Sequence, residues 1–579
     1  MVIRNYPLTN KPKSPNNNSN KNHIQKKVLL LILFSIFNSH FISNSANNKN
    51  NKEDNFSIQN ETINYNNNNI DNINNIQNKI EKNILVLVFP GGKSHNFVMK
   101  ELFDFSKNNE KKFKYNYHIL VHNWDRDFWD NFSNIEYKVY GFGDIESFDI
   151  IFNSSLDLVR EDPIFGYSKF NKAMIHILGE FMDSNLLEKE FRNRKFDMIL
   201  TDVPNFLYKF LRSELKIPLS FYLSPPALPN LFYNLFEINP ATLPAIGTSF
   251  TDNISFLERV QNSVYLFGTK IMFKIFMQEQ VQVFKRYGYD YSDSDVFVYD
   301  SMVLIQYPQG FCFSISKPPN MIFLNYITPK EAKEIQDEKL NNFMNKFSKN
   351  IYMSQGTIMK NINFDKIIQM YNHYSEYGFI LSIRKEIGEK HVFPKNVFLT
   401  NWVNQNDLLG DSRIHLFITH SGINSVLEAI YHEKPVIALG VSLDQVNTAG
   451  IVKARETGIV FSRLSDLTPE NLIPAIEKTL EENNKYILNT RKYSKILKLN
   501  KKATETYLFW LDIGLEIGYE HLLVKAYSTS NYFEINNYDV GFLIIVVLIF
   551  VLFFIKKLLF CLLCYGLKNN KHAEKAKLE

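Results

Sequence analysis

The sequence predicts an α/β protein: two doubly wound parallel sheets facing each other across a cleft, with one apolar helix near the C-terminus. Three observations predict it. Short apolar runs alternate with longer segments of helical character in two separate series, and such alternation implies parallel sheets covered by helices. The chain has 579 residues, too many for one ordinary core. A charge-free apolar stretch at 540–555 stands apart from both series.

The first series opens with Ile-Leu-Val-Leu-Val-Phe at 84–89, a buried strand closed by Pro90-Gly91-Gly92 and followed by helical sequence from about Asn96. Runs at 117–121, 198–200 and 219–222 continue it. The second series runs through 351–353, 378–382, 397–399, 416–419 and 436–438. In such sheets ligands bind beyond the C-terminal ends of the strands, so functional residues should follow these runs.

Composition narrows the function. With 45% hydrophobic and 22% charged residues the chain is not disordered as a whole. A net charge of +5 without a long Lys/Arg stripe in the body argues against a nucleic-acid partner. Of three cysteines, Cys561 and Cys564 lie beside the C-terminal apolar stretch, leaving Cys312 alone in the body. That excludes an intrachain disulfide framework and a cysteine-based zinc site there. Cys312, between Phe311 and Phe313, reads as core packing.

The two ends of the chain read as addresses. Lys26-Lys27, an apolar run at 28–37 and small residues at 43–46 resemble a secretory signal, with an uncleaved anchor as the alternative for 1–46. The Asn-rich stretch 47–82 reads as a disordered linker. Residues 540–567 read as a transmembrane helix and 568–579 as a basic tail, which the positive-inside rule assigns to the cytosol. The protein is then single-pass and type I, with sequons at Asn55, Asn60, Asn131, Asn153 and Asn253 on the lumenal side. Lys575 and Lys577, five and three places from the end, look like a dilysine retrieval signal of the endoplasmic reticulum.

Two tempting motifs are set aside. His118 and His122 flank a strand run, where four residues span about 13 Å, too far to chelate one ion. Pro90-Gly91-Gly92 lacks the three-glycine dinucleotide fingerprint. Neither a metal nor a cofactor is expected.

The chemistry concentrates in 401–447. The strand ending at Thr419 leads into His420-Ser421-Gly422, and a helix then begins near Asn424 and carries Ser425 and Glu428. The unpaired N–H groups and positive dipole end of that helix suit a pyrophosphate, with Ser421 and Gly422 allowing close backbone approach and His420 adding a hydrogen bond. Glu428 would meet a ribose diol, Trp402 a base face and Gln405 the base edge. Asp444-Gln445 supplies acceptors and donors for sugar hydroxyls. Together these are the parts of a nucleotide-sugar site.

These residues are similar to the signature of the UDP-glucuronosyltransferase family of membrane glycosyltransferases: Trp402, Gln405, Asp407-Leu408-Leu409, Thr419-His420, Gly422, Asn424, Glu428 and Asp444-Gln445. The resemblance extends from about Asn83 to the C-terminus. It implies two Rossmann-like domains of GT-B type, an acceptor-binding domain at 83–319 and a UDP-sugar-binding domain at 350–497. An interdomain linker would occupy 320–349, and return helices with a juxtamembrane segment 498–539. Ser354, Gly356 and Thr357 resemble the family's loop near the diphosphate. Asn404 stands where the family has Pro, Asp411 where a His is common, and Ser421 in place of the first Gly of a pair.

The family places a general-base His just after its first strand and an Asp after a later one. Here His95 follows 84–89 and Asp202 follows 198–200. A neutral imidazole accepts the acceptor's proton and a carboxylate stabilises the imidazolium. The resemblance therefore implies an inverting transfer of a sugar, foremost glucuronic acid, from a UDP-sugar to a hydroxyl of a small lipophilic acceptor. UDP-glucose-dependent lipid or sterol glucosylation is the alternative, as is a non-catalytic nucleotide-sugar-binding membrane protein. Oligomeric state is left open, a homo-oligomer included.

Overall fold

The computed structural model describes residues 79–575 except 132–136, 147–162, 203–206, 225–242, 246, 294–300, 316, 355–363, 384, 441–442, 463–465, 524–533 and 535–536. The signal or anchor region, nearly all of the Asn-rich stretch, the sequons at Asn55, Asn60 and Asn153, and Lys577 lie outside the described residues.

Two parallel sheets form the body. The first has the order β3-β2-β1-β4-β5-β6-β7. Its strands are β1 (Ile80–Leu87), β2 (Phe113–His122), β3 (Lys138–Phe142), β4 (Met198–Asp202), β5 (Leu219–Ser224), β6 (Met302–Gln306) and β7 (Met321–Leu324). The second has the order β10-β9-β8-β11-β12-β13. It comprises β8 (Lys349–Ser354), β9 (Tyr377–Ser382), β10 (Val397–Thr400), β11 (Ile414–Thr419), β12 (Val436–Leu439) and β13 (Gly458–Phe461). Eight helices matter below: α1 (Lys93–Asn108), α2 (Asn123–Asn131), α3 (Phe256–Arg286), α4 (Gln405–Gly410), α5 (Ile423–Tyr431), α6 (Leu443–Arg455), α7 (Ala503–Ile517) and α8 (Tyr538–Lys575).

Every strand pair is parallel, and the apolar runs read from sequence are the buried centres of these strands: Ile84, Leu85, Val86 and Leu87 are fully buried. The boundaries differ where strand ends are polar. β1 starts at Ile80, inside the stretch read as linker, because Ile80 to Asn83 pair with Phe113 to Asn116 while their side chains reach water. There Glu81 meets Lys114 at 2.7 Å. β7 lies beyond the expected domain boundary at 319, inside the segment read as an interdomain linker: it pairs with β6 and completes the first sheet. The rest of that segment is tied to the second domain, its Lys330 and Lys333 backbone N–H groups donating to Asn406 and Asp407 of α4 at 3.1 Å each.

α7 returns to the first sheet after the second domain is complete. Its Tyr507, Leu511 and Leu515 are buried with Ile84, Val86, Tyr117 and Phe221. Gly514 lets it approach closely, since a Cβ there would lie 2.9 Å from the Phe221 ring. Just beyond, the Tyr519 hydroxyl donates to the Ser220 carbonyl at 2.8 Å and accepts from its N–H at 2.6 Å. A second apolar cluster joins the domains directly, holding Ile305 and Phe311 together with Ile423, Val426 and Val452. Cys312 belongs to it, and burial pushes its thiol up to about 12, as suits a packing residue.

α8 carries the apolar stretch. Its segment Tyr538–Leu563 is 26 residues long, with a mean hydropathy of 2.9 over an 18-residue window of which no part is buried in the protein, and it is long enough to cross a bilayer. His118 and His122 both lie in β2: one bonds Tyr140 at 3.1 Å, the other Glu180 at 3.2 Å.

The docking of α7 makes a stability prediction. Leu511→Ala in the full chain should destabilise the first domain by about 2–4 kcal/mol, seen as an earlier thermal unfolding transition. An unchanged transition would mean that α7 does not hold the sheet.

Candidate active site

The order of each sheet creates one crevice. The chain leaves β1 toward β2 on one side and enters β5 from β4 on the other, so the loops after the adjacent strands β1 and β4 diverge. Pro90-Gly91-Gly92 turns the chain, with Gly91 at φ 77°, and α1 starts at once, putting His95 in its first turn. Asp202 is the last residue of β4. Leu87 lies opposite Thr201 in the sheet, so the two candidate residues emerge side by side. His95 Nδ1 is 2.7 Å from Asp202 Oδ2, the carboxylate fully buried and the imidazole one-fifth exposed. Burial opposes charge on His95, but Asp202, through its charge and hydrogen bond, with Asp444 and Asp125 behind it, outweighs burial and raises the imidazole above its ordinary range.

The second sheet repeats the device. β8 and β11 are adjacent with Ser354 opposite Thr419, and their loops diverge in the same way. Ser421, at φ 68°, turns the chain into α5, which Gly422 caps without a side chain. The N-terminus of α5 therefore opens at the strand ends, free to receive an anion. A Cβ on Gly422 would lie 2.7 Å from His420 Nε2, so glycine is what lets His420 fold over the turn. Burial pushes His420 down to about 4, against a weaker pull from the backbone of Ser354, leaving a neutral ring at physiological pH.

Along α5, Glu428 accepts from Gln405 Nε2 at 2.7 Å, and the same amide reaches Ser425 Oγ at 3.0 Å. Burial lifts the Glu428 carboxyl to about 7, with Gln405, Lys330 and Thr328 opposing it and Asp407 adding to it. Trp402 sits at the rim, 68% exposed. Gly356 and Thr357 lie outside the described residues.

The two crevices meet. Asp444, in the first turn of α6, carries a carboxyl that burial raises and the charge of His95 lowers, although the two residues belong to different domains. Gln445 beside it is buried with Oε1 unpaired. Gln306, at the end of β6, donates to Asn424 Oδ1 at 2.9 Å across the domain boundary. One turn after Asp444, Asn447 donates to the carbonyls of Ala245 and Thr248 and accepts from the Gly247 N–H at 3.0 Å. Arg455 closes the seam on Asp252 at 3.0 Å and on the carbonyls of Phe311 and Cys312.

The profile of the family described as UDP-glucoronosyl and UDP-glucosyl transferase matches residues 144–572, more than half of the chain. The chain belongs to this family. It is a UDP-glycosyltransferase, an enzyme that transfers a sugar from a UDP-sugar. Among relatives, human UDP-glucuronosyltransferase 2B7 is 26% identical over 392 residues, 66% of this chain and 73% of its own. UDP-glucuronosyltransferase 2B23 of Macaca fascicularis is 25% identical over 413 residues, 70% and 77%. Among solved structures, the calicheamicin glycosyltransferase CalG4 aligns with a TM-score of 0.52 at 12% identity over 76% of this chain and 99% of its own. UGT71G1 of Medicago truncatula, solved with UDP-glucose, aligns with 0.50 at 11% over 75% and 98%. These two establish the fold as GT-B.

The three departures of this UDP-glycosyltransferase from the family signature have local explanations. Asn404 caps α4, its side chain accepting from the Asp407 N–H, so it does the work of a helix start. Asp411 binds Arg413 through both carboxylate oxygens, a surface tie. Ser421 adopts the positive φ that a glycine would take freely, and its buried hydroxyl has no partner. Sequence reasoning missed Gln306, Asn447 and Asp125. The signal was available for Asp125 and Gln306, which follow or end strands β2 and β6, as His95 and Asp202 follow or end theirs. Asn447 binds a loop whose position no local pattern reveals.

Ser421→Gly should stabilise the UDP-glycosyltransferase by about 0.5–1 kcal/mol, by relieving the left-handed backbone and removing an unpaired hydroxyl. Thermal unfolding measures it. A lower midpoint would show that the hydroxyl is used.

Proposed function

We propose that this UDP-glycosyltransferase works by inversion, with His95 as general base and Asp202 as its orienting carboxylate. The observation that carries the reading is the 2.7 Å contact between His95 Nδ1 and Asp202 at the mouth of the crevice. The family profile begins after α1, so His95 rests on this geometry rather than on the match. With Asp202 ionised, Nδ1 carries the proton and Nε2 is left to accept one. Nε2 takes the proton from the acceptor hydroxyl. The oxygen then attacks the anomeric carbon from the face opposite the diphosphate, and the C–O bond to UDP breaks with its electron pair leaving on UDP. The N-terminus of α5 meets the leaving diphosphate, Glu428 the ribose, Gln405 and Trp402 the base, and Asp444 and Gln445 the sugar hydroxyls. His420, Ser421, Gly422, Asn424 and Ser425 frame the diphosphate opposite Ser354, and the family resemblance adds Gly356 and Thr357 to the donor-binding residues. The scheme assigns no metal.

Glucuronic acid is the sugar suggested by the relatives' names; the family resemblance of the signature residues adds a small lipophilic hydroxyl compound as the acceptor. One observation favours a second reading with a neutral hexose such as glucose. The largest charge effects on His95 come from the carboxylates Asp202, Asp444 and Asp125, and these disfavour a further carboxylate on the sugar. A panel of UDP-sugars with UDP release as readout separates the two. The apolar length of α8 supports a single-pass anchor, and the lysines that follow its apolar stretch support a cytosolic tail, lumenal domains and retrieval to the endoplasmic reticulum. Asn131 and Asn253 are exposed, as glycosylated residues would be.

His95→Ala should lower turnover roughly 10²–10⁴-fold while UDP-sugar affinity is kept, because the donor residues lie in the other domain. The wild-type rate should fall with acid through a midpoint above 6.5, since the raised imidazole holds its proton to higher pH, and Asp202→Asn should move that limb down. Full activity of His95→Ala on both a phenol and an alcohol acceptor would sink the reading.

Glu428 gives an independent check. Burial holds its carboxyl up at about 7, and ribose hydroxyls donate to the ionised form. UDP-sugar affinity should therefore weaken as pH drops below about 7, and Glu428→Gln should flatten that dependence. Calorimetry between pH 6 and 8.5 reads both. An identical pH slope in the variant would remove Glu428 from the ribose site.

A further inference from the structure

Asp125 is nearly fully buried in the first turn of α2, directly after β2. β2 and β4 are the two neighbours of β1, so Asp125 and Asp202 come from opposite sides of the strand that leads to His95. Asp125 Oδ2 accepts from the Gly91 N–H at 2.6 Å. That N–H lies in the tight turn that launches α1, a helix whose cap, Gly92, has no side chain and whose first turn has no acidic residue. The carboxylate thus fixes the turn just before α1 and places a negative charge at the positive end of that helix. The fully buried Asn96, next to His95, sets its side-chain amide against the same carboxyl and favours the ionised form. A buried carboxylate on the turn that carries His95 asks for an explanation beyond packing.

We propose that Asp125 is a second positioning carboxylate for His95: it holds the turn from which α1 starts and presents a negative charge to the imidazole from the β2 side. The inference rests on the general-base reading of His95. Burial pushes the Asp125 carboxyl up to about 6, while Gly91, Lys93, Asn96 and His95 all favour its ionised form. The groups acting on His95 are Asp202 from β4, Asp444 from α6 and Asp125 from α2. Removing the Asp125 charge lowers the proton affinity of the imidazole, and the acid limb of the rate profile moves to lower pH with it.

The test uses full-length protein in membranes and two variants. Asp125→Asn keeps an acceptor for the Gly91 N–H and removes the charge; it should retain most turnover at pH 8 and shift the acid limb downward. Asp125→Ala removes both and should lower kcat roughly 10–100-fold with the UDP-sugar KM held within about twofold, as a misplaced base would. An unshifted acid limb in Asp125→Asn, or equal loss of kcat and donor affinity in Asp125→Ala, would overturn the proposal. The pH dependence of His95 carbethoxylation by diethyl pyrocarbonate, read on its peptide by mass spectrometry, follows the imidazole without turnover. A downward shift there in Asp125→Asn supports the proposal even if His95→Ala proves active, in which case only the general-base reading fails. No shift overturns it. Should Asp125→Asn not fold, Asp125→Ser, with its hydroxyl acceptor, takes its place in the same measurement with the same expected shift.

Discussion

The structure depends on the in-register parallel pairing of β1 with β4 and of β8 with β11. Each pair joins strands whose following loops leave in opposite directions, and that divergence opens a crevice at their carboxyl ends. In the first sheet the crevice brings an imidazole and a buried carboxylate to 2.7 Å although they are 107 residues apart. In the second it leaves the N-terminus of α5 open at the ends of the strands. A slip of one residue in either pairing would turn the neighbouring side chains to the opposite face and separate these groups. The proposed division of labour follows from this: proton chemistry in the first domain, and in the second the charge and hydrogen bonds that suit a nucleotide sugar.

Both crevices are useful only if they stay opposed. The domains share an apolar cluster and a seam of hydrogen bonds from Gln306, Asn447 and Arg455. Asn447 and Asp444 lie on the same helix, so the helix that carries Asp444, the residue proposed to meet the sugar, also grips the 245–248 loop of the first domain. α7 then carries the chain back over the first sheet, and Tyr519 ties it to Ser220 through both N–H and carbonyl. The apolar helix α8 thus follows a segment packed on the first domain rather than on the second, which precedes it in sequence.

Much of this was legible in the residues, and for identifiable reasons. Buried parallel strands are continuous apolar runs, so the centres of β1, β4, β8 and β11 announce themselves, and the positions just after them point to His95, Asp202 and His420. What escaped depends on contacts between distant segments. The polar start of β1 at Ile80 to Asn83 reads as linker because its partners in β2 are 33 residues away. β7 is four residues long and only becomes a strand by pairing with β6. The positive φ of Ser421 was foreseeable from the glycine that the family signature has there. The seam made by Asn447 and Gln306 was not, since amide side chains announce no partner.

The central claim is that acceptor deprotonation in the first domain faces a donor held in the second. A structure of the full chain with a UDP-sugar and a non-reacting acceptor analogue tests it most directly. The account predicts the diphosphate on the N–H groups at the start of α5, and the acceptor oxygen about 3 Å from His95 Nε2 with Nδ1 still on Asp202. A diphosphate elsewhere, or an acceptor oxygen out of reach of His95 and beside another base, would contradict it.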